Sequence, residues 1–246
     1  MLAIAAVVTF ALTTVFSMAG VGAAIILIPI FLALGVELHT AMATALLLNA
    51  VGMTIASVTF IRKGLVEWQL VVPMLIIAVL ASPLGVWVAQ GMEPAPLLWL
   101  FVGFLFFASV MMMFYQPKPR TERRTPAQAL TLGLSVGALA GFVGGLLGVG
   151  GGNIIVPALV AAGLEPKRAS ASASFVVIFA SLSGFLAHVQ SARIGPDLLG
   201  ATAVATAAGA ALGAWLASEK LRSDQLKRII AVVLMAVAVK TAWNLL

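Results

Sequence analysis

The sequence predicts an all-α polytopic membrane protein made of two inverted repeats, each a broken helical hairpin followed by three transmembrane helices. Three observations carry that prediction: an apolar composition, a series of charge-poor runs long enough to span a bilayer, and an internal repeat. Of 246 residues, 62% are apolar and 9% are charged, whereas a soluble domain carries about 25% charged residues. A spanning helix needs roughly 20 apolar residues to cross about 30 Å of hydrocarbon. Runs 1–36, 38–61, 68–92, 94–117, 125–164, 169–192 and 198–218 meet or exceed that length.

The repeat sets the organisation. Residues 20–45 align with 148–173 at a constant offset, placing Gly20, Gly22, Pro29, Gly35, Glu37, Ala41 and Ala43 on Gly148, Gly150, Pro157, Gly163, Glu165, Ala169 and Ala171. The same offset places Leu84-Gly-Val-Trp-Val-Ala89 on Leu212-Gly-Ala-Trp-Leu-Ala217. The chain therefore divides into a first membrane repeat, 1–115, a cytoplasmic linker, 116–126, rich in proline and charge, and a second membrane repeat, 127–246. The first 16 residues lack the basic start of a signal peptide and have a counterpart inside the chain, so they read as part of a span.

Taken in order, the first repeat opens with a long segment, 1–36, followed by spans near 40–61, 67–89 and 96–115. The second opens with 127–164, followed by spans near 168–190, 197–218 and 226–245. Each long segment carries central glycines and then a proline, and each is too long for one crossing. A segment of that kind breaks and turns back inside the protein, because unpaired backbone at membrane depth is tolerated only within protein or beside a water-filled cavity. Pro29 and Pro157 are the expected structural hinges. Trp68, Trp87, Trp99, Trp215 and Trp243 fall near span ends, as interfacial anchors do.

Charge orients the halves. Arg62 and Lys63, the 116–126 linker, Lys167 with Arg168, and Lys220, Arg222, Lys227 and Arg228 lie in four connections that become cytoplasmic under the positive-inside rule. Matched connections differ in charge, as they must if the halves face opposite ways. Both termini are then expected outside, in a multi-pass protein of the bacterial inner (plasma) membrane.

Broken helices at corresponding positions of inverted repeats mark secondary transporters, with substrate bound where the breaks meet. The candidate substrate-binding residues are Gly20, Gly22 and Ala23 in the first break and Gly148, Gly150, Gly151, Gly152 and Asn153 in the second. Thr44, Asn49, Ser170, Ser172 and Ser174 on the following spans complete the set. A half-helix starting at either break presents unpaired N–H groups and a positive dipole end, which favour an anion. All eight acidic residues fall in loops or at span ends, so no carboxylate is expected at the midplane to hold a cation. Arg62 and Lys63 are placed to attract anions at the cytoplasmic mouth.

Other chemistry is poorly supplied. Gly148-Val-Gly-Gly-Gly-Asn153 is followed by no Gly-Lys-Ser/Thr, so it is not a P-loop. Cysteine is absent, and His39 and His188 stand alone, so no metal site, no cofactor and no enzyme activity are expected. The basic excess lies in short connections, which makes the bilayer, and not nucleic acid, its partner.

The stretches Gly148-Val-Gly-Gly-Gly-Asn-Ile-Ile-Val-Pro157 with Arg168-Ala-Ser-Ala-Ser-Ala, Gly20-Val-Gly-Ala-Ala-Ile-Ile-Leu-Ile-Pro29 with Thr40-Ala-Met-Ala-Thr-Ala45, and Phe60-Ile-Arg-Lys-Gly-Leu-Val-Glu-Trp68 resemble the TauE/SafE family of sulfite exporters. That family is also described as the 4-toluene sulfonate uptake permeases. The resemblance implies a secondary transporter that moves sulfite, sulfoacetate or another organosulfonate by alternating access, with export the favoured direction. The alternatives are an anion channel on the same scaffold, an intramembrane enzyme or a structural membrane subunit. Coupling to a proton or another ion, and assembly into a homo-oligomer, are left open by the sequence.

Overall fold

The computed structural model describes residues 2–18, 20–114, 125–188, 196–243 and 245. Residue 115, linker residues 116–124 and the connection 189–195 lie outside the described residues. Among the described residues ten α-helices follow one another: α1 Leu2–Met18, α2 Ala24–Ala33, α3 Leu38–Arg62, α4 Trp68–Gln90, α5 Pro94–Phe114, α6 Pro126–Leu146, α7 Gly152–Ala161, α8 Pro166–His188, α9 Pro196–Trp215 and α10 Ser223–Trp243. A single π-helical turn, Leu216–Lys220, extends α9. Among the described residues there is no strand, and six helices are long and apolar enough to cross a membrane. The protein is an all-α polytopic membrane protein.

Local chemistry sets several boundaries. The Glu37 carboxylate caps α3 by accepting from the backbone N–H of His39 and of Thr40, both at 2.9 Å. Thr125 and Gln128 form a capping box ahead of α6, with Pro126 at the first helical position. Inside α4, Pro83 has no N–H to offer the carbonyl four residues earlier. That carbonyl, on Val79, instead accepts from the Ser183 hydroxyl of α8 at 2.8 Å, while Ser82 donates to the Ala180 carbonyl at 3.0 Å.

Both long segments are broken, and the breaks fall at glycine. Gly148, Gly150 and Gly151 take φ of +68°, +73° and +79°; Gly20 and Gly22 take +68° and +81°. A side chain in that left-handed region costs about 1–2 kcal/mol per residue, so the reversal belongs where glycines cluster. The first break has Ala23 at the position of Gly151, with φ of −85°, and turns with two left-handed residues instead of three. In the second hairpin a Cβ on Gly144 would overlap the Gly151 amide, and one on Gly151 would overlap the Ala140 carbonyl, so α7 lies directly against α6. Pro29 and Pro157, expected as hinges, lie inside α2 and α7, which stay helical through them. The chain turns at the glycines.

The hairpins are held by two glycine seams. On α6, Gly133, Gly137, Gly141 and Gly145 recur every four residues and face Leu70, Met74, Ala78 and Ser82 of α4, so closely that a Cβ on any of them would collide with α4. Without water to drive burial, such close backbone packing is a main source of helix association in a bilayer. On α9, Gly209 and Gly213 meet Phe10 and Thr14 of α1. The seams are related position by position: Gly85 packs on the Phe142 carbonyl, and Gly213 on the Thr14 carbonyl.

At the centre, α3 meets α8. Asn49 bonds to Ser181, a Cβ on Gly184 would stand 3.2 Å from Leu46, and the His39 and His188 rings are 6.0 Å apart, so the two helices run antiparallel. At one rim Lys63 pairs with Glu219 at 2.7 Å, Arg168 pairs with Glu67, and Lys167 reaches the Ser218 carbonyl. That gathers the 62–68, 163–168 and 216–222 connections at a single end. Glu37, His39 and His188 occupy the other.

Candidate functional site

The two breaks meet in the middle of the bundle. A Cβ on Gly152 would stand 2.6 Å from the Val21 carbonyl oxygen, so the hairpin tips are in contact. Each tip also packs on a long central helix, the first on α8 and the second on α3. Gly20 lies on the Ser170 backbone of α8, and Gly148 lies on Met42 of α3, where a Cβ would come within 2.7 Å of the Met42 Cβ. Ser170 and Met42 are themselves repeat-equivalent positions.

Asn49 of α3 ties this region together. It is 1% exposed, and its Nδ2 donates to the Ser181 hydroxyl of α8 at 3.0 Å, while its Oδ1 accepts from the Ala24 backbone N–H at 3.4 Å. Side chains on Gly22 or Gly150 would collide with the Asn49 amide, and on Gly150 with the Ser181 hydroxyl as well. Gly22, Gly150 and Asn49 are therefore brought together, with Ala23 one residue ahead of α2. Ser181 was not singled out from the sequence, though it lies seven residues beyond Ser174 and so on the same helical face.

The two half-helices differ at their starts. The first N–H group of α2 is already engaged by Asn49. Asn153, the second residue of α7, is 1% exposed, and neither its Oδ1 nor its Nδ2 has a partner. An uncompensated buried amide costs about 1–3 kcal/mol, and this one stands where unpaired helix N–H groups and the positive dipole end converge. Such a set of donors is suited to negatively charged or strongly polar oxygen. A cleft of about 350 Å³ between α5, α6 and α7 has Asn153 as its single polar lining residue, among Phe104, Met111, Val143 and Pro157.

The remaining candidates separate. Ser170 is buried, with its hydroxyl unpartnered, beside Gly20. Thr44 donates to the Thr40 carbonyl and Ser174 to the Ser170 carbonyl, each satisfied within its own helix. The Ser172 hydroxyl accepts from the Glu67 backbone N–H at 3.0 Å and fastens α8 to the start of α4. Lys63 is paired with Glu219, while Arg62 is exposed at the same rim. Among the described residues no group of three or more metal-ligating side chains forms.

Broken hairpins meeting inside a multi-helix membrane bundle define a membrane transport protein. The family model described as "Sulfite exporter TauE/SafE" matches residues 4–241, and the chain belongs to that family. It is 28% identical over 209 residues, 81% of each chain, to a "Probable membrane transporter protein y4hK" of Sinorhizobium fredii. It is 27% identical to a "Probable membrane transporter protein" of Xylella fastidiosa over 84% of this chain and 80% of that one. A shorter match, 51% identical over 47 residues, is to "Sulfite exporter TauE/SafE family protein 6" of Arabidopsis thaliana, covering 19% of this chain and 11% of the plant protein. The chain is a membrane transporter and not an enzyme.

Proposed function

We propose that this protein is a secondary transporter that moves a small oxyanion, sulfite or an organosulfonate such as sulfoacetate, across the bacterial inner membrane by alternating access, with export as the favoured direction. The observation that carries the reading is the meeting of the two glycine breaks beside Asn49, with the unpartnered Asn153 amide at the start of α7. Donors that are already dehydrated and fixed can replace the water around a negative solute, and the family name supplies the sulfur chemistry. The described carboxylates cap helices, pair with basic side chains or lie at helix ends, which leaves the centre free of competing negative charge.

Inverted repeats are part of this proposal. Antiparallel packing of the equivalent helices α3 and α8, and the matched Gly85–Phe142 and Gly213–Thr14 contacts, are what a two-fold axis in the membrane plane produces. With the basic rim cytoplasmic, both termini lie outside. The touching tips then represent an occluded state that opens alternately to either side.

The test is efflux of radiolabelled sulfite and sulfoacetate from proteoliposomes containing the purified protein. Saturable flux with counterflow is expected. Conductance far above carrier turnover without counterflow indicates a channel, and absence of flux for every sulfur oxyanion refutes the substrate assignment.

A further inference from the structure

The α1–α9 seam carries a feature that its repeat-equivalent lacks. Thr9, Thr13 and Ser17 recur every four residues along α1, and Thr206 faces them from α9. All four are at most 1% exposed, and none of their hydroxyls has a partner. A Cβ on Gly209 would stand 3.1 Å from the Thr13 Cβ, one on Gly213 would stand 3.1 Å from the Ser17 Cβ, and one on Gly52 of α3 would stand 3.0 Å from the Thr206 Cγ2. The hydroxyl-bearing residues therefore line the junction of α1, α9 and α3, away from the lipid.

Neighbouring hydroxyls show the ordinary way of avoiding this situation. Thr14, Thr44, Thr54 and Ser174 each donate to the carbonyl four residues earlier in their own helix. At the repeat-equivalent positions of the other seam, Gly137, Gly141 and Gly145 stand for Thr9, Thr13 and Ser17, and Ala78 stands for Thr206. Both seams close backbone to backbone, Gly213 on the Thr14 carbonyl as Gly145 on the Ser82 carbonyl, but the α4–α6 seam has no polar side chain at those positions. The stripe on α1 spans about 12 Å at about 1.5 Å per residue. It ends at the first break, where the Gly20 N–H donates to the Ser17 carbonyl at 3.1 Å.

Resting on the oxyanion reading above, we propose that the α1–α9 seam, closed in this state, parts during transport to give a second binding track: a hydroxyl-lined route along which the oxyanion passes between one membrane face and the hairpin tips. The α4–α6 seam stays shut. Hydroxyls are suited to this task because each both donates and accepts. They bind an anion without the tight hold of a fixed cation, and they bind its water when the anion has left.

The chain contains no cysteine, so a single introduced thiol reports one position. Thr13→Cys, Ser17→Cys and Thr206→Cys are each reconstituted in proteoliposomes with Ala78→Cys as the control. They are exposed to a membrane-impermeant sulfonatoethyl methanethiosulfonate, and the adduct is read by intact mass. The three seam variants are expected to react roughly tenfold faster than Ala78→Cys, with saturating sulfoacetate slowing them, and Thr13→Val is expected to reduce sulfite flux roughly tenfold while Thr13→Ser retains it. Reaction at Thr13→Cys and Thr206→Cys no faster than at Ala78→Cys, in a protein that still transports sulfite, overturns the track and leaves the oxyanion reading standing. Fast seam labelling without sulfoacetate protection, in a protein that moves no sulfur oxyanion, supports a wet seam and refutes the oxyanion as its cargo.

Discussion

The Asn49 amide bridges Ser181 of α8 and the Ala24 N–H at the start of α2, so one side chain holds the two central helices and the first hairpin tip in register. Removing it leaves a buried hydroxyl and a helix N–H without partners. Interhelical hydrogen bonds in bilayers average about 0.6 kcal/mol, with a maximum near 1.7, and the exposed partners add to that. Asn49→Ala is expected to lower stability by about 1–2 kcal/mol in a detergent unfolding titration. Ser181→Ala is expected to lower it by less.

The glycine seam between α4 and α6 gives a sharper contrast. A Cβ on Gly141 would overlap the Ala78 carbonyl, so Gly141→Ala must push the helices apart and is expected to cost about 1–3 kcal/mol. Gly103, mid-helix in α5, has no atom within 4 Å of its missing side chain. Gly103→Ala is expected to be neutral or stabilising by up to about 1 kcal/mol. Thermal unfolding of both variants, followed by circular dichroism, checks the pair.

At the rim, Arg168 and Glu67 form a partly exposed ion pair. Exposed pairs contribute about 0–1 kcal/mol, so a double-mutant cycle with Arg168→Ala and Glu67→Ala is expected to give a coupling inside that range. The coupling is expected to shrink further at high salt.

Glu37 links stability to pH. Partial burial works to raise its carboxyl, but the backbone N–H groups of His39 and Thr40, together with the nearby His39 ring, hold it below its ordinary value of 4.5. Because the folded value is depressed, the stabilisation is fully present above 4.5 and is lost as pH falls through the lowered value. Stability followed against pH below 5 is expected to fall less steeply in Glu37→Gln than in the wild type.

The spans and the breaks were legible because they depend on properties local to the sequence: run length, glycine clusters and a constant offset. Helix ends fell within a few residues of expectation. Which face of a span looks inward was not legible, because lipid is as apolar as the protein core and leaves no polar side to read. Ser172 and Ser181 illustrate this. Ser172 was grouped with Ser170 and Ser174 as a polar residue of one span, yet packing turns it to the Glu67 backbone and brings Ser181 to Asn49. The glycines of α6 carry no sign in the sequence of the helix they face, which is α4. The unpaired hydroxyls of α1 gave no signal, since most such groups bond to their own helix. The π-helical turn at Leu216–Lys220 likewise has no local signature.

In the proposed mechanism the α7 start, with Asn153, receives the anion. Equilibrium binding of radiolabelled sulfite to the purified protein tests it most directly, with Asn153→Asp as the variant, because a carboxylate there has nearly the same shape and the opposite effect on an anion. Saturable binding that sulfoacetate competes away, weakened more than about tenfold by Asn153→Asp while the variant remains folded, is the predicted result. Binding that is equally tight in the folded variant shows that the anion does not sit at Asn153.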